Sequence, residues 1–136
     1  TKKLSSYSKC YVTHQLCGGG LALFRESLVL IDECDLNSDS DENIASYILQ
    51  TALQSPMDQI ITNAGVNVND IADNIFIKNY NYGYDVKNEK YGDMFKMGVI
   101  DPLKVTKNAL QNAVSVATTI LGTNAIITHK RANEKA

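Results

Sequence analysis

NYGYDVKNEKYGDMFKMGVIDP, residues 81–102, sets three tyrosines and three glycines into a polar segment and ends on Asp-Pro. Tyrosine and glycine at this spacing suit a tight hairpin packed against a neighbour, with its turn around Val86 to Asn88. Asp101-Pro102 suits a helix start, with the aspartate as N-cap and the proline at the first helical position. The residues that follow carry the strongest periodicity in the chain. Leu103, Leu110, Ala113, Val114, Ala117, Ile120 and Leu121 form an apolar stripe at helical spacing, Lys104 and Lys107 lie off it, and Gly122 stops it. Beyond it AIITH, 125–129, reads as a strand, and 130–136 as a polar tail.

Upstream of the hairpin the pattern is helical. VNVNDIADNI, 66–75, predicts a short helix begun by Asn67 or Asn69. SPMDQIITNAG, 55–65, predicts a helix of its own, with Ser55 as cap, Pro56 at the first position, Asp58 completing a capping-box-like pattern and Gly65 as the stop. DENIASYILQTALQ, 41–54, predicts another, with Ile44, Tyr47, Ile48, Thr51 and Ala52 as its stripe. LALFRESLVLI, 21–31, predicts one more, following a break at Gly18–Gly20. The acidic stretch from Asp32 to about Asn43 reads as a mobile loop, and residues 1–16 are poorly patterned. The sum is a mainly α chain of one-domain length, a helical bundle with a small β-hairpin and a terminal β-strand.

Composition excludes several classes. The three cysteines, Cys10, Cys17 and Cys34, form no C-x-x-C pair and match no zinc spacing, which fits a reducing compartment. No apolar run approaches the roughly 20 residues of a membrane helix, so no membrane partner is expected. The net charge of −2 is unevenly spread, with residues 77–136 carrying 9 basic and 5 acidic side chains. A solvated helix face plus a tail accounts for that surplus ahead of a nucleic-acid surface. The chain opens on Thr1 rather than Met, and we read it as a processed or excised piece.

Three features are candidates for chemistry. The glycines of CGGGLALFRE, 17–26, stand before a helix, where backbone N–H groups approach an anion, or else make a plain helix turn. Asp101 offers a carboxylate that accepts two hydrogen bonds from a ribose, or else only caps its helix. The hairpin GYDVKNEKYG, 83–92, forms a wall for an aromatic base, or else braces a loop with its tyrosines. His14 and His129 are isolated, and no nucleophile–base pair or acid pair is visible, so no catalytic residue and no metal ligand is assigned.

CGGGLALFRE, SPMDQIITNAG and NYGYDVKNEKYGDMFKMGVIDPLKVTKNALQNAVSVATTIL together resemble the group I chaperonins, the ring-forming heat-shock protein 60 or chaperonin 60 family, in the same order along the chain. The likeness covers Cys17 to about His129 and is most specific over Tyr82–Leu121. It implies the C-terminal part of an equatorial nucleotide-binding domain at 17–129, preceded by an intermediate-domain remnant or vector-derived segment at 1–16 and followed by a tail at 130–136. It further implies nucleotide contacts at Gly18, Gly19, Asp85, Val86, Lys87 and Asp101. The cofactors implied are ATP or ADP with Mg2+ and K+ in the whole protein, with none bound by the fragment. The partners implied are other copies in a ring, a small co-chaperonin and unfolded polypeptides.

The departures are specific. The family usually has Asn-Ala-Ala where this chain has Asp85, Val86 and Lys87, and an aspartate lacks the amide's donor. Counted back without gaps from the glycine turn, the family's water-activating aspartate falls on Lys2. The leading expectation is a fragment of an ATP-dependent protein-folding chaperonin, and the alternative is a structural ring-assembly module of a divergent, hydrolysis-deficient subunit. Asparagine- and lysine-rich wording points to an AT-rich genome, and with group I membership to a mitochondrial matrix or plastid ahead of a bacterial cytoplasm.

Overall fold

In the computed structural model, residues 14–33, 40–125 and 127 are described. They form β1 (Gln15–Cys17), α1 (Leu21–Glu33), α2 (Asp41–Asn63), α3 (Val68–Phe76), β2 (Tyr82–Asp85), β3 (Lys90–Asp93), α4 (Met94–Met97), β4 (Ile100–Pro102) and α5 (Leu103–Leu121). The chain is mainly helical, as its periodicities require. It divides into two units, Thr1–Leu103 and Lys104–Ala136.

In the first unit the core is a cluster of Cys17, Leu21, Phe24, Met57, Ile61, Ile71, Ile75 and Met94. It draws on α1, α2, α3 and α4, so no helix buries its face alone. The expected start of a separate helix at Ser55 is corrected: α2 runs unbroken from Asp41 to Asn63 with Pro56 inside it. Proline removes one N–H and crowds the preceding turn. Here Leu53, Met57 and Ile61, four residues apart, are buried on one face that passes through the proline, and that packing holds the helix together. The cap lies at Ser40, whose hydroxyl accepts from the Asn43 N–H. The stripe expected on Ile44, Tyr47 and Ile48 is exposed.

The end of α2 matches its sequence signal. The Gly65 and Val66 N–H groups donate to the Thr62 and Ile61 carbonyls, closing the last turn, and Val66 packs on the core that holds Ile61. Asn67 caps α3, its side chain accepting from the Asn69 N–H. The expected hairpin is present, with β2 antiparallel to β3 and Tyr84 opposite Tyr91.

A strand pair at the ends of the unit corrects one further expectation. Leu16 belongs to a strand, because β1 pairs antiparallel with β4. Asp101 and Pro102 lie in β4 instead of opening the helix, which begins at Leu103. The Leu103 N–H donates to the His14 carbonyl at 2.9 Å, so backbone pairing does the work expected of an aspartate cap. Of the loop expected from Asp32 to about Asn43, Asp32 and Glu33 instead end α1 and Asp41 to Asn43 open α2, while residues 34–39, Lys2, residues 130–136 and most of the strand expected at 125–129 lie outside the described residues.

The second unit is led by α5, which ends at Leu121, and the Gly122 N–H bonds the Thr118 carbonyl. No described residue of α5 is buried.

Candidate functional site

The site is built from one strand pair, one glycine turn and one hairpin, all in the first unit. In the β1–β4 ladder Leu16 stands opposite Asp101 and Cys17 opposite Ile100. The Gly18 N–H extends it by one bond, to the Val99 carbonyl at 3.0 Å. Glycine here permits a close approach. A Cβ on residue 18 would lie 3.1 Å from backbone atoms of Val99 and Ile100 and 3.3 Å from Oδ1 of Asp101. The same distances bring the Asp101 carboxylate against the glycine turn. Gly20, with φ +78, lets the turn settle on α2: a Cβ there would fall 2.7 Å from the Met57 backbone nitrogen.

Between these two, Gly19 lines a cleft of about 210 Å3 together with Asp85, Val86 and Lys87. Most of the remaining lining is apolar, including Met57, Ile75 and Met94. Four of the six candidate residues therefore share one cleft. Gly18 and Asp101 adjoin each other next to it in the chain and are not part of its lining.

Asp85 is buried, and its carboxylate closes the hairpin turn. Oδ1 accepts from the Lys87 N–H at 3.0 Å and the Asn88 N–H at 3.4 Å, while Oδ2 accepts from the Asn88 side-chain amide at 2.6 Å. The Asn88 amide, helped by the two N–H groups and opposed by burial, holds the Asp85 carboxyl below the usual carboxylate range. Tyr84, also on the cleft, tilts against Tyr91 with ring centroids 4.8 Å apart. Burial, with Glu89, Tyr91 and Asp85 nearby, pushes its phenol up, so it remains a neutral donor and acceptor.

One supporting residue escaped the sequence reading. Arg25 is buried in α1, and its guanidinium donates to the carbonyls of Ile75 at 2.8 Å, Asn79 at 3.0 Å and Tyr82 at 3.1 Å. It clips the end of α3 to the start of the hairpin, and so sets the hairpin against the helix that follows the glycine turn. Burial lowers its pKa. The available signal was a cation on the apolar face of α1, one position after Phe24 and four after Leu21.

Residues 4–131 match the sequence profile of the TCP-1/cpn60 chaperonin family. The chain belongs to that family. Among solved structures, this chaperonin chain is similar to the open-state monomer of a group II chaperonin from Methanococcoides burtonii, with a TM-score of 0.71 and 26% identity over 80% of its residues. It spans 28% of that monomer's length. The family match takes in residues 4–16, the segment set apart above for its poor patterning.

Proposed function

We propose that this chaperonin chain supplies the ribose- and base-facing wall of an ATP site, within a ring-forming protein that uses ATP to fold polypeptides. The observation that carries the reading is the meeting of Asp101 with Gly18, continued through Gly19 into the cleft of Asp85, Val86 and Lys87. A carboxylate accepts two hydrogen bonds at once, which suits Asp101 to vicinal ribose hydroxyls. Glycine at 18 and 19 leaves the backbone open to a ligand. The apolar lining beside Val86 suits a flat base.

The phosphates need other partners. Phosphoryl transfer depends on positioning and on metal-assisted charge stabilisation. Among the described residues no group of three or more His, Cys, Asp or Glu is placed to hold a metal ion. No step is derived through Mg2+ or K+. Alone, the chain is expected to turn over ATP poorly or not at all.

Asp101→Ala in the whole protein is expected to weaken ATP binding about tenfold, the loss of hydrogen bonds to a charged acceptor. Calorimetry giving an unchanged dissociation constant would remove Asp101 from the ribose site.

Lys2 favours a second reading, a ring-assembly subunit deficient in hydrolysis, because a lysine cannot act as a carboxylate base. ATP turnover with and without Lys2→Asp separates the two. Brisk turnover by the unaltered protein ends the second reading.

We also assign the chain to group I on the wording of Tyr82–Leu121, although the solved relative above is a group II protein. With group I go a small co-chaperonin lid and residence in a mitochondrial matrix or plastid. Refolding of a client that proceeds equally well without such a lid refutes the assignment, and organelle fractionation tests the location.

A further inference from the structure

We infer that Tyr84 and Tyr91 form an oxidative cross-linking site, two phenols that the hairpin holds ring against ring for joining by one C–C bond. β2 and β3 pair so that the two residues stand directly opposite each other. Residues opposed in this way keep their Cβ atoms about 4.5–5.5 Å apart. The two ring centroids lie 4.8 Å apart, with the planes tilted by 49°. That is the near end of the range for aromatic pairs, and the tilt turns the edge of one ring toward its partner. The last torsion of a tyrosine side chain is soft, so ring rotation brings the carbons beside the phenol oxygens together with both strands in place.

The step needs a one-electron oxidant, hydrogen peroxide activated by a haem peroxidase. Each phenol gives it one electron and one proton. The unpaired electron of each phenoxyl spreads to the carbons ortho to oxygen, and one such carbon on each ring forms the new bond. The bonded carbons then release their hydrogens as protons while the two oxygens regain theirs, which restores both phenols. The peroxide O–O bond breaks, and with the two electrons and two protons it leaves as two waters.

The surroundings favour this pair. Tyr91 is 39% exposed, within reach of the oxidant. Its oxygen accepts from the Asn74 amide at 3.4 Å, so its own proton is free to depart to water. Tyr82 stacks parallel to Tyr91, but its centroid is 6.4 Å away. Tyr47 is more exposed, at 66%, and has no ring partner among the described residues. Exposure alone therefore selects Tyr47, whereas geometry selects Tyr84 with Tyr91. Cys17, Met57 and Met94 are buried, which shields their sulfurs from the same oxidant. Tyr84 also lines the cleft, so the new bond ties the cleft's hairpin wall across both strands. The cross-link requires no nucleotide there.

The test treats dilute folded protein with a haem peroxidase and hydrogen peroxide, digests it with trypsin and reads the peptides by mass spectrometry. Cleavage after Lys78, Lys87, Lys90 and Lys96 separates residues 79–87 from residues 91–96, in which Tyr91 is the single tyrosine. The expected product is these two peptides joined, lighter than their sum by two hydrogens, with fragmentation placing the bond on Tyr84. Tyr84→Phe and Tyr91→Phe keep the rings but form no phenoxyl, and each is expected to lose the product, while Tyr82→Phe keeps it. Unfolding in urea before oxidation is expected to lower its yield. Linkage chiefly through Tyr47 or between copies, linkage at Tyr80 or Tyr82 in place of Tyr84, an equal yield from the unfolded chain, or no linkage overturns the inference.

Discussion

Arg25 and Asp85 do opposite jobs with the same economy of hydrogen bonds. Arg25 adds a bond to carbonyls of Ile75 and Asn79 that also accept backbone N–H groups, and Asp85 closes N–H groups that the hairpin turn leaves open. Arg25→Met keeps the volume of the stem but forfeits its charge-assisted bonds to the Ile75, Asn79 and Tyr82 carbonyls. Hydrogen bonds to a charged group contribute about 1.5–3 kcal/mol each, partly offset here by relief of a buried charge, so we expect a loss of about 3 kcal/mol in urea unfolding. A loss below about 1 kcal/mol would show the clip to be dispensable. For Asp85 the readout is pH. Its native pKa lies below its unfolded one, so the unfolded chain takes up the proton first. The stability it contributes is present above the ordinary carboxylate range, near pH 4, and is lost as pH falls toward the lowered native value. Acid titration of the Lys87 amide should show hairpin opening in that window, and Asp85→Asn should flatten the profile there. Neither residue's role was legible beforehand. Arg25 lies in a helical stripe and Asp85 in a plausible base wall, and only their neighbours distinguish those readings from structural duty.

At the scale of elements, local signals decided where α2 stops and α3 starts, and packing decided the continuity of α2. Gly65 and Asn67 terminate and restart the chain as their chemistry demands, because caps act within one turn. Pro56 carries an equally clear start signal, yet α2 continues through it. Since Pro56 is exposed and strains the helix without packing in the core, Pro56→Ala should stabilise the protein by about 1–3 kcal/mol. A fall in melting temperature would mean that the proline is needed for a bend. The junction between β1 and α1 is less forgiving. Gly20→Ala forces a Cβ into the Met57 backbone at positive φ and should cost about 3 kcal/mol in chemical denaturation. An unchanged midpoint would show that α1 and α2 can part there freely. The strands β1 and β4 have three residues each, too few for any period to show, so the ladder that carries the site left no trace in the pattern.

For the whole molecule, the two units differ in what they bury. Thr1–Leu103 encloses its own core, whereas the apolar stripe of α5 is exposed, Leu121 at 83% and Ile120 at 51%. Ile120→Lys should therefore change unfolding stability by less than about 0.5 kcal/mol, while improving solubility by interrupting that stripe. A large drop in melting temperature would show that Ile120 belongs to a packed core of this chain. The class of fold, the helix stops at Gly65 and Gly122 and the hairpin were readable from residues 17–122, since each rests on turn chemistry or periodicity within a few residues, and the chaperonin likeness was readable from the wording of its motifs. The contact of Gly18 with Asp101, the route of α2 through Pro56, and which stripes are covered depend on surfaces distant in the chain. No local spacing encodes whether such a surface arrives, because burial belongs to both partners at once.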